Sequence, residues 1–171
     1  MAYFIQGKDY PVVYCCNYRV GSTAVGTTIL EMGGNKIGEH HDPPVLTQWD
    51  TLIVESVRHH CDVLVSWWYW RCSSTPFEEF IKNVLDGKHS FLKPVTLYSK
   101  FNSNYILRYE SLENEWATLC NTAGLEFRPL IRSKSKRPKG IKWQSLYTPK
   151  IKSMIVDSYK DEMEKLGYGI N

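Results

Sequence analysis

The sequence predicts an α/β fold with a largely parallel sheet, and three observations predict it. Short apolar, β-branched runs alternate with helix-compatible segments. The first such run leads through a compact Gly/Ser/Thr loop into a helix. The helix ends carry their own caps, prolines and glycines. At 171 residues, 43% of them hydrophobic and 23% charged, residues 1–171 are expected to form a single compact domain with a normal core.

Taken in order, residues 11–16 form the first expected strand, with Val12, Val13, Tyr14, Cys15 and Cys16 before Asn17 stops the run. A helix follows over 23–32 and ends at Gly33 and Gly34. Residues 35–48 read as a loop with a short strand at 36–38, and TLIVESV at 51–57 as a second buried strand. CDVLVSWWYW at 61–70 fits strand or helix by period; Asp62 in a first turn, with Val63, Trp67 and Trp70 at helical spacing, favours helix. Thr75, Pro76, Glu78 and Glu79 supply a cap, a proline at the first helical position and an acidic first turn for a helix reaching Gly87. NYILRYE at 104–110 is another strand; Ser111 then caps a helix through Ala123, ended by Gly124. A basic loop over 128–147 leads to a last helix, opened by Thr148 and Pro149 and stopping near Gly167.

Charge and cysteine usage narrow the function classes. A net charge of +3 does not demand a nucleic-acid partner. Arg132, Lys134, Lys136, Arg137, Lys139 and Lys142 crowd into eleven residues, but Trp143 is the one aromatic beside them, so an anion loop is favoured over nucleic-acid binding. Five cysteines without a C-x-x-C spacing, two of them adjacent in a buried strand, indicate reduced thiols. No basic leader with an apolar core and no membrane-length apolar run occurs, so a soluble, cytoplasmic protein without a membrane partner is expected. His40, His41, His59, His60 and Cys61 repeat no metal-ligand spacing, and no metal site is expected.

Two segments carry anion chemistry. Asn17 to Thr23 form a strand-to-helix loop with Arg19, Gly21, Ser22 and Thr23, with Val20 between the cation and the glycine. Free amides at a helix start and the helix dipole favour an anion there, and Arg19 adds a planar charged fork. The loop does not fit G-x-x-x-x-G-K-[ST], since its glycine follows the cation. The alternative is a strand turning into a helix with hydroxyl caps. At the end of the second strand Arg58 precedes Ser66 by eight residues, and the two can converge on one phosphate. Alternatively Arg58 pairs with Asp62, and Ser66 faces solvent.

These segments resemble a family. NYRVGST is similar to the 5′-phosphosulfate loop of sulfotransferases that use PAPS (3′-phosphoadenosine 5′-phosphosulfate). VRHHCDVLVS resembles their R-(N/D)-P-x-D-x-x-x-S signature, whose Arg and Ser hold the 3′-phosphate. LRYESL resembles L-x-Y-E-D-L, whose Tyr, here Tyr109, lies near the adenine in some members. RPKGIKWQSLYTP resembles R-K-G-x-x-G-x-W-K, a loop over the 3′-phosphate, here with Arg137, Lys139 and Gly140. SYKDEMEKLGY is similar to the closing helix. The matches run in order over roughly residues 11–168. Departures are His60 for a proline, Ser111 for an aspartate, Ala24 for a tryptophan, an inserted Pro138 and a missing second glycine. The chain is also shorter than most members, which implies a reduced acceptor pocket or one completed by another subunit.

The resemblance implies a three-layer P-loop-like fold with a mostly parallel central sheet flanked by helices. It implies PAPS as donor, PAP as product, a hydroxyl-bearing acceptor and in-line sulfuryl transfer, with Arg19 neutralising the leaving phosphate and no metal. Between the anion segments lies Glu39-His40-His41-Asp42-Pro43. Alignment with K-T-H-L-P of the cytosolic branch makes His41 the base; alignment with C-G-E-E of the protein-tyrosine branch points to His40, beside Glu39. Histidine titrates near neutrality and suits that role. A non-catalytic PAP- or nucleotide-binding module is the alternative. A kinase-like phosphotransferase is disfavoured by the lack of a Gly-Lys-Ser/Thr loop and of a Mg²⁺-binding aspartate at a strand end. Self-association, homo-oligomers included, is left open.

Overall fold

Strands β1 (Ala2–Gln6), β2 (Pro11–Cys15), β3 (Asn35–Ile37), β4 (Leu52–Val57) and β5 (Tyr105–Arg108) pair into one open sheet in the order β3-β1-β2-β4-β5. The structure is a computed structural model and describes residues 1–17, 20–38, 50–89, 92, 103–132 and 136–168. It divides into two compact units, Met1–Val57 with Lys100–Ser133, and Arg58–Ser99 with Lys134–Asn171.

The architecture is α/β, a mixed sheet flanked by helices, and this corrects the expected mostly parallel sheet. β2 pairs parallel with β4, and β4 with β5, but β1 pairs antiparallel with both β2 and β3. The cause is the N-terminal strand, to which the sequence reading assigned no structure. Residues 7–10 turn the chain back, so β1 and β2 form a hairpin with Ala2 opposite Cys15 and Gln6 opposite Pro11. Its short run, Tyr3-Phe4-Ile5, is made of strand-favouring residues, and its pairing with β2 and β3 completes the strand.

The core of the first unit lies on one sheet face. Tyr3 and Ile5 of β1, Val12 and Tyr14 of β2, Val54 of β4 and Leu107 of β5 alternate toward it. Helices α1 (Ser22–Glu31) and α4 (Leu112–Ala123) cover that face with Val25, Ile29, Trp116, Leu119 and Cys120. Gly26 of α1 lets the Tyr3 ring approach, since a Cβ there would sit 2.3 Å from it. Ser111 stands at the expected cap of α4, but its hydroxyl donates to Glu115 Oε1 at 2.7 Å instead of accepting from the helix.

In the second unit α2 (His60–Trp67) is a helix, as the spacing predicts, and continues into one π-helical turn, Trp68–Cys72. Trp67 is buried and meets Trp70 edge to face at 5.0 Å. α3 (Phe77–Leu85) starts just after Pro76, whose ψ of 139° makes it the extended cap rather than the first helical residue. α5 (Pro149–Lys165) is capped by Thr148, whose side chain accepts from Ile151 N, with Pro149 at its start. His60, the departure from the family's proline, is the first residue of α2; it is fully buried, and its Nε2 lies 2.7 Å from Glu162 of α5.

All five cysteines are free; Cys72 is half-buried and the rest are buried. Burial pushes the thiols of Cys15, Cys16 and Cys61 up from 9.0 to about 12, and that of Cys120 to about 11. A thiol with a higher pKa folded than unfolded contributes stability in full below its unfolded value, and loses it as pH rises toward its folded one. The thiols' contribution is therefore full below pH 9, and the urea midpoint is expected to fall from pH 9 toward 12. Buried Tyr14 and Tyr159, also pushed up from 10.0, add to the upper part of that limb. Cys61→Ala should make the limb shallower; a wild-type midpoint that stays level through it contradicts the burial of these groups.

Candidate functional site

The strand-to-helix loop of the first unit is built on a polar network beneath it. Ser22 Oγ donates to the Asn17 carbonyl at 2.6 Å. A hydroxyl has one proton, so Ser22 can only accept from Tyr14 OH, 3.3 Å away, and Ser56 Oγ must then donate to Tyr14 at 2.7 Å. Asn17 Nδ2 donates to Glu55 Oε2 at 2.9 Å and to the Ser56 carbonyl at 3.3 Å. Ser103 Oγ donates to the other Glu55 oxygen. Glu55 is only 5% exposed, so these donors replace the water a buried carboxylate would otherwise need.

Above this network Gly21 has φ +88° and stands at the cap of α1. A Cβ there would lie 2.6 Å from Leu112 Cδ2 and 3.3 Å from the Tyr109 ring, so both the backbone and its neighbours require glycine. Ala24 and Val25 make the first helical hydrogen bonds, to the Gly21 carbonyl. The Ser22 and Thr23 amides precede them and point out of the helix start. Val20 is fully buried and can offer a ligand only its backbone. Thr23 is exposed, whereas the Ser22 hydroxyl is turned inward. Of the two hydroxyls expected to face an anion, that of Ser22 is engaged within the loop, and Thr23 is the exposed one. Tyr109, 37% exposed, lies against the same loop, so two separately predicted segments meet here.

The second unit gathers the other predicted cations. Arg58 Nε donates to Asp62 Oδ2 at 2.7 Å, with Nη2 also 2.7 Å from that oxygen. Arg137 Nη1 donates to Asp62 Oδ1, so one carboxylate joins two guanidiniums. The Arg58–Asp62 pairing, an alternative in the sequence, is thus present. Ser66 does not face solvent: it is 5% exposed, one helical turn beyond Asp62. Arg137 also donates through Nε, at 2.7 Å, and Nη2 to the Ile141 carbonyl, closing a turn that contains Gly140 at φ +85°. Lys139 is exposed beside it, and Lys136 Nζ donates to the Trp70 carbonyl at 3.3 Å. The basic run is therefore not one uniform surface, because Arg137 turns inward. Trp143 stacks on His59 with ring centroids 4.5 Å apart, next to Tyr147.

Arg19, Glu39, His40 and His41 lie outside the described residues. Among the described residues no group of three or more His, Cys, Asp or Glu side chains forms a metal-binding cluster, and no helix is long and apolar enough to cross a membrane. Among the participants the sequence does not single out are Glu55, Tyr14 and Glu162, with Ser56 and Ser103. Glu55 had a usable signal, a lone acid in the apolar strand TLIVESV. Tyr14 and Glu162 had none, because their partners are remote in sequence. No protein-family model matches the chain, and neither the curated proteins nor the solved structures yield a match.

The loop geometry predicts a graded mutational response. Gly21→Ala should destabilise by about 1–2 kcal/mol from the left-handed backbone alone. Asn17→Ala, which strips a donor from buried Glu55, should cost about 1–3 kcal/mol, and Ser22→Ala about 1 kcal/mol. Urea denaturation measures all three. Equal, negligible effects would show that the network does not hold the loop.

Proposed function

We propose that the chain is a PAPS-dependent sulfotransferase, moving a sulfuryl group to an acceptor hydroxyl by in-line displacement. The proposal includes a three-layer P-loop-like fold and a cytoplasmic setting, with neither nucleic acid nor membrane as partner. The observation that carries it is the meeting of Arg58 and Arg137 on one carboxylate, with Ser66 buried a turn away. Two segments singled out separately as 3′-phosphate ligands thereby come together within one unit. The turn at Gly21, with Tyr109 against it, supports the 5′-phosphosulfate loop in the same way.

Each residue then has a role. The backbone at Val20, Gly21, Ser22 and Thr23, with the Thr23 hydroxyl, cradles the 5′-phosphate end. Arg58, Ser66, Arg137, Lys139 and Gly140 hold the 3′-phosphate, and Tyr109 borders the adenine. Arg19 neutralises charge on the leaving phosphate, a contribution of the size of one oxyanion donor, ~2.7–4 kcal/mol of barrier. His41, or His40 in the other alignment, takes the acceptor proton.

Calorimetry with PAP and AMP tests the donor assignment. PAP is expected to bind more tightly than AMP, and Arg58→Ala to cost PAP roughly tenfold to hundredfold while leaving AMP unchanged. Equal affinities in the wild type would overturn the 3′-phosphate site. Single-turnover sulfuryl transfer to a phenol or sugar panel then separates enzyme from binding module. Arg19→Ala should lower turnover more than donor affinity. His41→Ala should abolish most transfer with donor binding intact, and an unimpaired rate excludes His41 as the base.

A further inference from the structure

Asp62 is the pivot of the charged cluster in the second unit. It stands in the first turn of α2, four residues after Arg58, and both of its oxygens are engaged, one by each guanidinium. The three side chains are only 8–15% exposed. Two guanidiniums so poorly hydrated repel each other strongly unless an anion stands between them. Asp62 is that anion, and the three groups still sum to one positive charge. The second guanidinium belongs to Arg137, whose Nε and Nη2 hold the Ile141 carbonyl. Through Asp62 the turn over residues 137–141 is thus tied to α2.

We propose that Asp62 is a positioning residue: an internal anion that latches the 136–142 loop onto α2 and presets the Arg58 and Arg137 forks for an incoming oxyanion. The proposal rests on the sulfotransferase reading only for the identity of that oxyanion, a ribose 3′-phosphate. A carboxylate that fixes guanidiniums it shares with a ligand acts through them, and it differs from ordinary structural support in one respect. An external anion can replace it.

Hydrogen exchange of the unliganded chain tests this, read at the amides of residues 137–142 with α4 as an internal reference. Asp62→Asn keeps the side-chain shape, removes the charge, and should speed exchange in this loop about tenfold or more, as loss of a charge-assisted contact requires. Millimolar inorganic sulfate should restore protection in Asp62→Asn. Arg137→Gln should open the same loop and resist rescue, because it lacks the second cation. Exchange in Asp62→Asn equal to wild type overturns the latch, and so does an opening that sulfate does not reverse. If Asp62→Asn also loosens α4, Arg137→Gln, which leaves the Arg58–Asp62 pair in place, decides: no loop opening there overturns the latch. PAP should restore protection at lower concentration than sulfate or AMP. If sulfate rescues but PAP does no better than AMP, the latch stands and the 3′-phosphate reading fails.

Discussion

A buried carboxylate near the end of a parallel strand has to find donors, and Glu55 finds them in Asn17 and Ser103. That requirement organises the first unit. Asn17 is held to β4 through Glu55 and the Ser56 carbonyl, and its own carbonyl takes the Ser22 proton. Asn17 is thereby joined to the first residue of α1, and Gly21 before it has a left-handed backbone. Tyr14 joins the two halves of the network from below, and its hydroxyl is pushed up in pKa by burial, so it stays protonated as a donor. The result is a start of α1 tied through side chains to both β2 and β4.

The second unit solves a different electrostatic problem. There one carboxylate, Asp62, is shared between Arg58 and Arg137. One buried carboxylate in β4 and a pair of guanidiniums beside the start of α2 give each segment a separate chemical character. Buried His60 also pairs with partly buried Glu162, between α2 and α5. The two helices are thus joined by this polar contact and by the His60 and Tyr159 rings, 5.1 Å apart.

What was legible in the sequence was local. α4 was bounded by Ser111 and Gly124, and α5 by Thr148 and Pro149, because caps and breakers act over a few residues. β2 and β4 followed from apolar β-branched runs. Tyr3, Phe4 and Ile5 favour a strand by composition, but the antiparallel pairing of β1 with β2 and β3 was not legible, and leaving β1 out is why the sheet was expected to be mostly parallel. In the site, Arg58 with Asp62 was visible as a four-residue spacing, whereas Arg137 reaches Asp62 from 75 residues away. The inward turn of Ser22 was equally hidden: a hydroxyl at a helix start looks the same in sequence whether it faces a ligand or its own loop.

The most direct measurement is an amide chemical-shift titration of the isotope-labelled chain with PAP, run beside AMP. PAP is expected to perturb both the Gly21, Ser22 and Thr23 amides and those around Arg58, Ser66 and residues 137–140, and AMP the first set alone. Perturbation by PAP of neither set, or identical perturbation by PAP and AMP, would contradict the donor assignment.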